Sequence, residues 1–177
     1  MKKRTNYKYL HIFTFVSAFL IFFSSCKQDK QNICDSDLYE PNDSFNSAYF
    51  IGEVQESSME IVAQVSSRND LDFYQIRAKE NIRTGFPESS EYFRIRFQLI
   101  SPPGKDYDLY IYNDSRSQLE YSANRGNMEE VSEYFWTGKI INADDKEFFI
   151  EVRPFTKDCD FTDYRLSVTM SYSSMPF

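Results

Sequence analysis

Hard oxygen donors gather at two places in this sequence. Glu40, Asn42 and Asp43 put three side-chain oxygens within four residues, and Asp70 and Asp72 add two more. Carboxylate and amide oxygens suit a hard cation such as Ca2+, which takes about six to eight oxygen ligands at roughly 2.3–2.6 Å. Clustered carboxylates repel by roughly 1–4 kcal/mol per pair near a protein surface, and a shared cation turns that repulsion into attraction. The same residue types close turns through their own side chains, so turn formation is the competing role. Asp106 and Asp108 form a second acidic pair. Their i, i+2 spacing on a strand puts both carboxylates on one side, about 6.5–7 Å apart. Glycoside hydrolysis uses separations in that range, but such pairs are ordinary on an acidic surface and this one reads as structural. Tyr110, Tyr112 and Phe149 alternate with core-type residues, and Trp136 follows Tyr134 and Phe135. These aromatics form a candidate surface for stacking on sugar rings or receiving a protein, with burial under loops or edge segments as the competing role. Arg94 and Arg96 alternate on one strand and read as a solvated face.

The start of the chain reads as an address. Lys2, Lys3, Arg4 and Lys8 precede a mostly apolar run from Leu10 to Phe23, and Ser24, Ser25 and Cys26 follow. A basic start, a short greasy middle and small residues at the cut are the layout of a secretory signal peptide. As a helix the run spans about 21 Å, short of the roughly 30 Å hydrocarbon core that a permanent spanning helix must cross. Phe22-Phe23-Ser24-Ser25-Cys26 resembles a bacterial lipobox, with Phe where Leu is usual. That resemblance implies that residues 1–25 are removed and that Cys26 takes a diacylglyceryl group as the mature N-terminus. Residues 26–36 then form a lipidated, polar tether to a bacterial envelope membrane, the outer membrane being the expected one.

Export changes the arithmetic and the chemistry left. The only histidine, His11, lies before Cys26, as do four of the 20 basic residues and none of the 27 acidic ones, so the mature chain carries about −11 and no histidine. This excludes Ser-His-Asp and Cys-His catalysis and histidine-ligated zinc. The acidic balance argues against nucleic acid, whose phosphates need surplus Lys and Arg. Two further cysteines remain, Cys34 and Cys159. In an oxidising compartment two such thiols are expected to pair, and so long a loop would stabilise by about 4–5 kcal/mol on the chain-entropy model. Two separate free thiols are the alternative.

From Asp35 onward the periodicity is two, not 3.6. Phe93-Ile95-Phe97-Leu99, Tyr107-Leu109-Ile111, Phe148-Ile150-Val152 and Tyr164-Leu166-Val168-Met170 each alternate with polar or aromatic residues. One apolar face per segment is the pattern of antiparallel strands covering a core. Further strands are predicted at 48–54, 59–65, 72–78, 118–122 and 131–141, and the sequence also tolerates a short helix over Ser44–Ala48. Pro102-Pro103-Gly104 and Asn113–Ser117 supply turns. About nine short strands in residues 37–177 predict one all-β domain, an antiparallel β-sandwich of jelly-roll type.

Five segments in order carry a family resemblance. They are Glu40-Pro41-Asn42-Asp43, Asp70-Leu71-Asp72-Phe73-Tyr74, Asp106-Tyr107-Asp108-Leu109-Tyr110, Phe148-Phe149-Ile150-Glu151-Val152 and Tyr164-Arg165-Leu166-Ser167-Val168. Their order resembles the bacterial pre-peptidase C-terminal domain family, to which collagenase collagen-binding domains belong. Lys146 stands where the family usually has glycine. The resemblance implies a non-catalytic sandwich for binding or stabilisation, usually fused to exported enzymes. It also implies calcium ligands at Glu40, Asn42, Asp43 and Asp72, with Asn69 and Asp70 beside them. Asn69 replaces a frequent carboxylate and Leu38 an acidic residue of some members, which points to one weakened calcium site or none. The expected function is an envelope lipoprotein whose single module engages an extracellular protein or polysaccharide. The alternatives are an assembly partner for a separately encoded exported hydrolase and, last, an Asp/Glu-dependent glycosidase.

Overall fold

Alternating segments become strands where the sequence predicts them, because an extended chain is the conformation that turns every second side chain to one side. The computed structural model of the chain describes residues 37–66, 70–80, 90–126, 128–139, 144–155 and 162–177. The chain divides into two units, Met1–Gln31 and Asn32–Phe177, and the described residues all belong to the second. The expected leader, the lipidation site Cys26, the tether, the Cys34 and Cys159 pair and Asn69 lie outside the described residues.

The described residues form nine strands: β1 (Tyr49–Val54), β2 (Ser58–Ala63), β3 (Asp72–Ala78), β4 (Ser90–Ile100), β5 (Tyr107–Asn113), β6 (Gln118–Ser122), β7 (Glu129–Lys139), β8 (Lys146–Pro154) and β9 (Tyr164–Ser173). They build a five-stranded sheet in the order β1-β3-β8-β5-β6 and a four-stranded sheet in the order β2-β9-β4-β7. Phe97, Leu99, Leu166 and Val168 from the second sheet meet Ile76, Leu109, Ile111 and Ile150 from the first in one core, each at most 1% exposed. Burying such a side chain contributes about 1.5–3 kcal/mol, so inward alternation on seven of the strands sets the fold. Among the described residues no helix is long and apolar enough to cross a membrane.

The antiparallel expectation needs one correction. β1 pairs with β3 in parallel, Tyr49 opposite Tyr74 and Val54 opposite Ala78. Parallel neighbours need a crossover, and here β2 supplies it by crossing to the other sheet. Gly52 enables that step. It sits at φ +131° in the β1 bulge, and a Cβ there would lie 2.8 Å from the Met59 methyl on β2. The segment Ser44–Ala48 forms a turn rather than a helix, closed by the Ser47 amide on the Ser44 carbonyl at 3.0 Å. The β5–β6 hairpin turns at Asn113, whose side chain accepts from the Ser117 amide at 2.8 Å while Arg116 takes φ 62°.

Candidate functional site

Residues 37–47 form a strap that crosses from the end of β2 to the outer face of the five-stranded sheet. Asp37 anchors its start, accepting from the Tyr39 amide at 2.9 Å and from the Gln64 amide at 2.7 Å. Tyr39 then packs edge-on against Tyr49 and Tyr74, with ring centroids 5.0 and 5.7 Å away. The Glu40 carboxylate accepts from the Asn42 amide at 3.0 Å, and the Asn42 carbonyl accepts from the Phe73 amide at 2.9 Å. The strap ends in Phe45, whose ring meets Phe73, Tyr112 and Phe149 at 4.7, 4.9 and 5.5 Å.

That path brings together three of the predicted metal ligands. Carboxylate oxygens of Glu40, Asp43 and Asp70 all lie within 4.8 Å of one another. Two ligands about 2.4 Å from one Ca2+ are at most about 4.8 Å apart, so the three oxygens fit a shared hard cation. Among the described residues no Lys or Arg forms an ion pair with them. Asp70 is 2% exposed and accepts from the Ser66 amide. Burial, with the neighbouring Asp43 and Glu40 carboxylates, pushes its carboxyl up to about 7. Asn42 is 1% exposed, and its side chain bears on the Tyr74 hydroxyl, opposing the upward push that burial gives that group. Three crowded carboxylates are a donor set that a hard cation would complete.

Asp72 lies outside this group of three. Its buried carboxylate accepts the Tyr164 hydroxyl, which lies 2.5 Å from the Tyr74 hydroxyl. Burial and then the Asp70 charge raise the Asp72 carboxyl well above the usual range, with the Tyr164 hydrogen bond opposing. The sequence places Asp72 with the calcium ligands; the structure gives it to a buried hydroxyl chain, because residue 72 opens β3 with its side chain against β9.

The acid pair is also engaged. Asp106 accepts from the Gly126 amide at 3.0 Å and closes the β6–β7 loop. Asp108 is 6% exposed on the outer face, opposite Arg153. Burial raises its carboxyl, opposed by Arg125. Neither lines the depression of about 550 Å³ at the far end of β5, walled by Arg77, Tyr134, Lys146 and Phe148 among others.

The predicted aromatic surface divides. Trp136 is buried, stacked on Phe93 at 5.2 Å, and its indole N–H donates to Glu80 at 2.6 Å. Phe149 is 8% exposed beneath Phe45. Neither belongs to an open surface, since strap and core cover them. Tyr112 is half-buried and donates to Glu151 at 2.7 Å, which with burial holds its hydroxyl above the ordinary range. Tyr110 faces Tyr121 on β6, ring centroids 6.1 Å apart and planes 14° from parallel. Sequence reasoning missed Tyr121, Phe45 and Glu80. The hairpin register would have found Tyr121, because it gives residues 110 and 121 the same outward parity. Phe45 and Glu80 sit outside the strands, where no periodicity marks them.

No family model matches the chain, and no curated protein matches it. Among solved structures it is similar to the pre-peptidase C-terminal domain of a collagenase from Bacillus anthracis, with a TM-score of 0.39 and 9% sequence identity over 70% of this chain and 96% of that one.

Proposed function

We propose that the chain is a lipid-anchored protein of a bacterial envelope whose sandwich is a non-catalytic binding or accessory module, stiffened by calcium and engaging an extracellular protein or polysaccharide. The observation that carries this reading is the crowding of Glu40, Asp43 and Asp70. These side chains lie on the strap and on the β2–β3 connection, so a cation there would tie the strap to the start of β3. Glu40, Asp43, Asp70 and Asn42 would hold the ion, and the ion would supply charge neutralisation. Asp72 supports the site from behind through Tyr164. Asp106 holds the Gly126 amide, and histidine is absent after Cys26, so binding is favoured over turnover.

Two measurements on the full chain test the reading. Expressed in a bacterial host fed alkynyl palmitate, the chain takes label that Cys26→Ala loses; unlabelled chain recovered from the cytosol refutes the anchor. In detergent, millimolar calcium raises the melting temperature by several degrees over chelator, and Asp43→Ala abolishes the gain. Equal melting in both solutions refutes the calcium site.

A further inference from the structure

We propose that the outer face of β8, β5 and β6 binds a neutral polysaccharide, at a stack made of Arg153, Tyr110 and Tyr121. This rests on the reading of the chain as a binding module and names its ligand class and site. Three strands in spatial order supply the stack. The Arg153 guanidinium from β8 lies 4.3 Å from the Tyr110 ring centroid, and Tyr110 from β5 faces Tyr121 from β6. Arg153 covers one side of Tyr110, so the open end is Tyr121, which is 60% exposed.

The polar groups of this face are fixed in advance. Glu151 is 2% exposed and holds Arg153 at both Nε and Nη2, at 2.8 and 2.6 Å. The same carboxylate accepts the Tyr112 hydroxyl. Groups already locked by packing lose little further freedom on binding. Next along β5, the Asp108 carboxylate keeps one buried oxygen without a hydrogen-bond partner.

The chemistry selects the ligand. A sugar ring has an apolar C–H face and a rim of hydroxyls, which match an open aromatic ring beside fixed donors and acceptors. On this face Arg153 is paired with Glu151, and the Asp108 carboxylate feels Asp106 and Glu130 as well as Arg125 and Arg153. A polyanion would find no surplus positive charge here. The strap marks the limit of the site, because Phe45 already covers Phe73 on β3 and Phe149 further along β8.

The test uses the full chain in detergent, run in gels containing laminarin or mannan, mixed with insoluble cellulose or chitin, and compared with heparin and pectin. Retention by at least one neutral polymer is expected, equal at low and high salt. Tyr121→Ala should weaken it at least tenfold, Tyr121→Phe should preserve it, and Phe135→Ala on the other sheet should leave it unchanged. No retention by any neutral polymer, retention by the polyanions alone, or full retention by Tyr121→Ala overturns the proposal. Palmitate labelling and the calcium melt on the same preparation separate the two levels. If both succeed while every polysaccharide fails, the ligand class falls and the anchored module stands; if both also fail, the underlying reading falls.

Discussion

Stepping the pH with and without calcium probes the acidic cluster from both sides. In chelator, Asp70 titrates near 7 in the folded chain, against about 3.9 for an ordinary aspartate. A folded carboxyl raised above its unfolded value binds its proton more tightly in the native state. Its contribution is neutral below about pH 4 and becomes unfavourable as pH rises towards 7. The penalty is about 13-fold at pH 5 and about a thousandfold at pH 7.5, a ratio near 70, or about 2.5 kcal/mol. The proton belongs to the cluster, since Asp43 and Glu40 share its field. For a domain of this size the difference lowers the melting temperature by roughly 10 °C between pH 5 and pH 7.5. Calcium opposes it: at about fifty times its dissociation constant, bound only by the folded chain, it contributes about 2.3 kcal/mol. Protons compete for the same oxygens, so that gain belongs to pH 7.5 and fades towards pH 5. Thermal or urea unfolding at the two pH values, in chelator and in calcium, reads all four corners. Asp70→Asn keeps an acceptor for the Ser66 amide and removes the titrating group, so most of the slope should vanish. A chelated chain as stable at pH 7.5 as at pH 5, or a slope as steep in Asp70→Asn as in the parent, refutes the reasoning.

Three further outcomes follow from single side chains. Tyr164→Phe deletes the hydroxyl between Asp72 and Tyr74 and should cost about 1–3 kcal/mol in urea unfolding, because two buried groups lose a partner. Glu80→Ala leaves the Trp136 indole N–H without its acceptor and frees the Asp144 amide; the sole tryptophan should shift its emission to the red, with a loss of about 1–3 kcal/mol. Gly52→Ala puts a Cβ 2.8 Å from the Met59 methyl at φ +131° and should destabilise by about 1–3 kcal/mol in thermal unfolding, with Met59→Ala recovering only the contact part.

The sandwich was legible because its strands are amphipathic on a period of two. Phe93-Ile95-Phe97-Leu99 and Tyr164-Leu166-Val168-Met170 point inward at every apolar position. Alternation fixes which face is buried but not which strands are neighbours, so the parallel β1–β3 pair was invisible. It depends on β2 crossing to the other sheet, which no local pattern marks. The acidic residues were legible as hard donors for a similar reason: their types restrict their chemistry. Their grouping was only partly so. Asp70 and Asp72 are of equal type, but Asp70 lies in the connection before β3 and turns towards Glu40 and Asp43, while Asp72 opens the strand with the inward parity of Tyr74 and meets Tyr164.

The aromatic positions show where local pattern stops informing. Tyr110, Tyr112 and Phe149 all read as outward, and all are outward, yet they differ in exposure because the strap covers one half of the face. Phe45 lies over Phe149 and against Tyr112, and leaves Tyr110 beside the open Tyr121. Covering half of a sheet also explains the buried charge at Glu151. A carboxylate at 2% exposure is unfavourable without compensation, and here Tyr112 on one side and Arg153 on the other supply three hydrogen bonds. The chain joins the two features through neighbours in contact: the strap that carries Glu40 and Asp43 ends in Phe45, Phe45 packs on Tyr112, Tyr112 bonds Glu151, and Glu151 aims Arg153 at Tyr110. The strap and the aromatic stack are linked by packing, so the proposed cation and the proposed polysaccharide would act on one connected set of side chains.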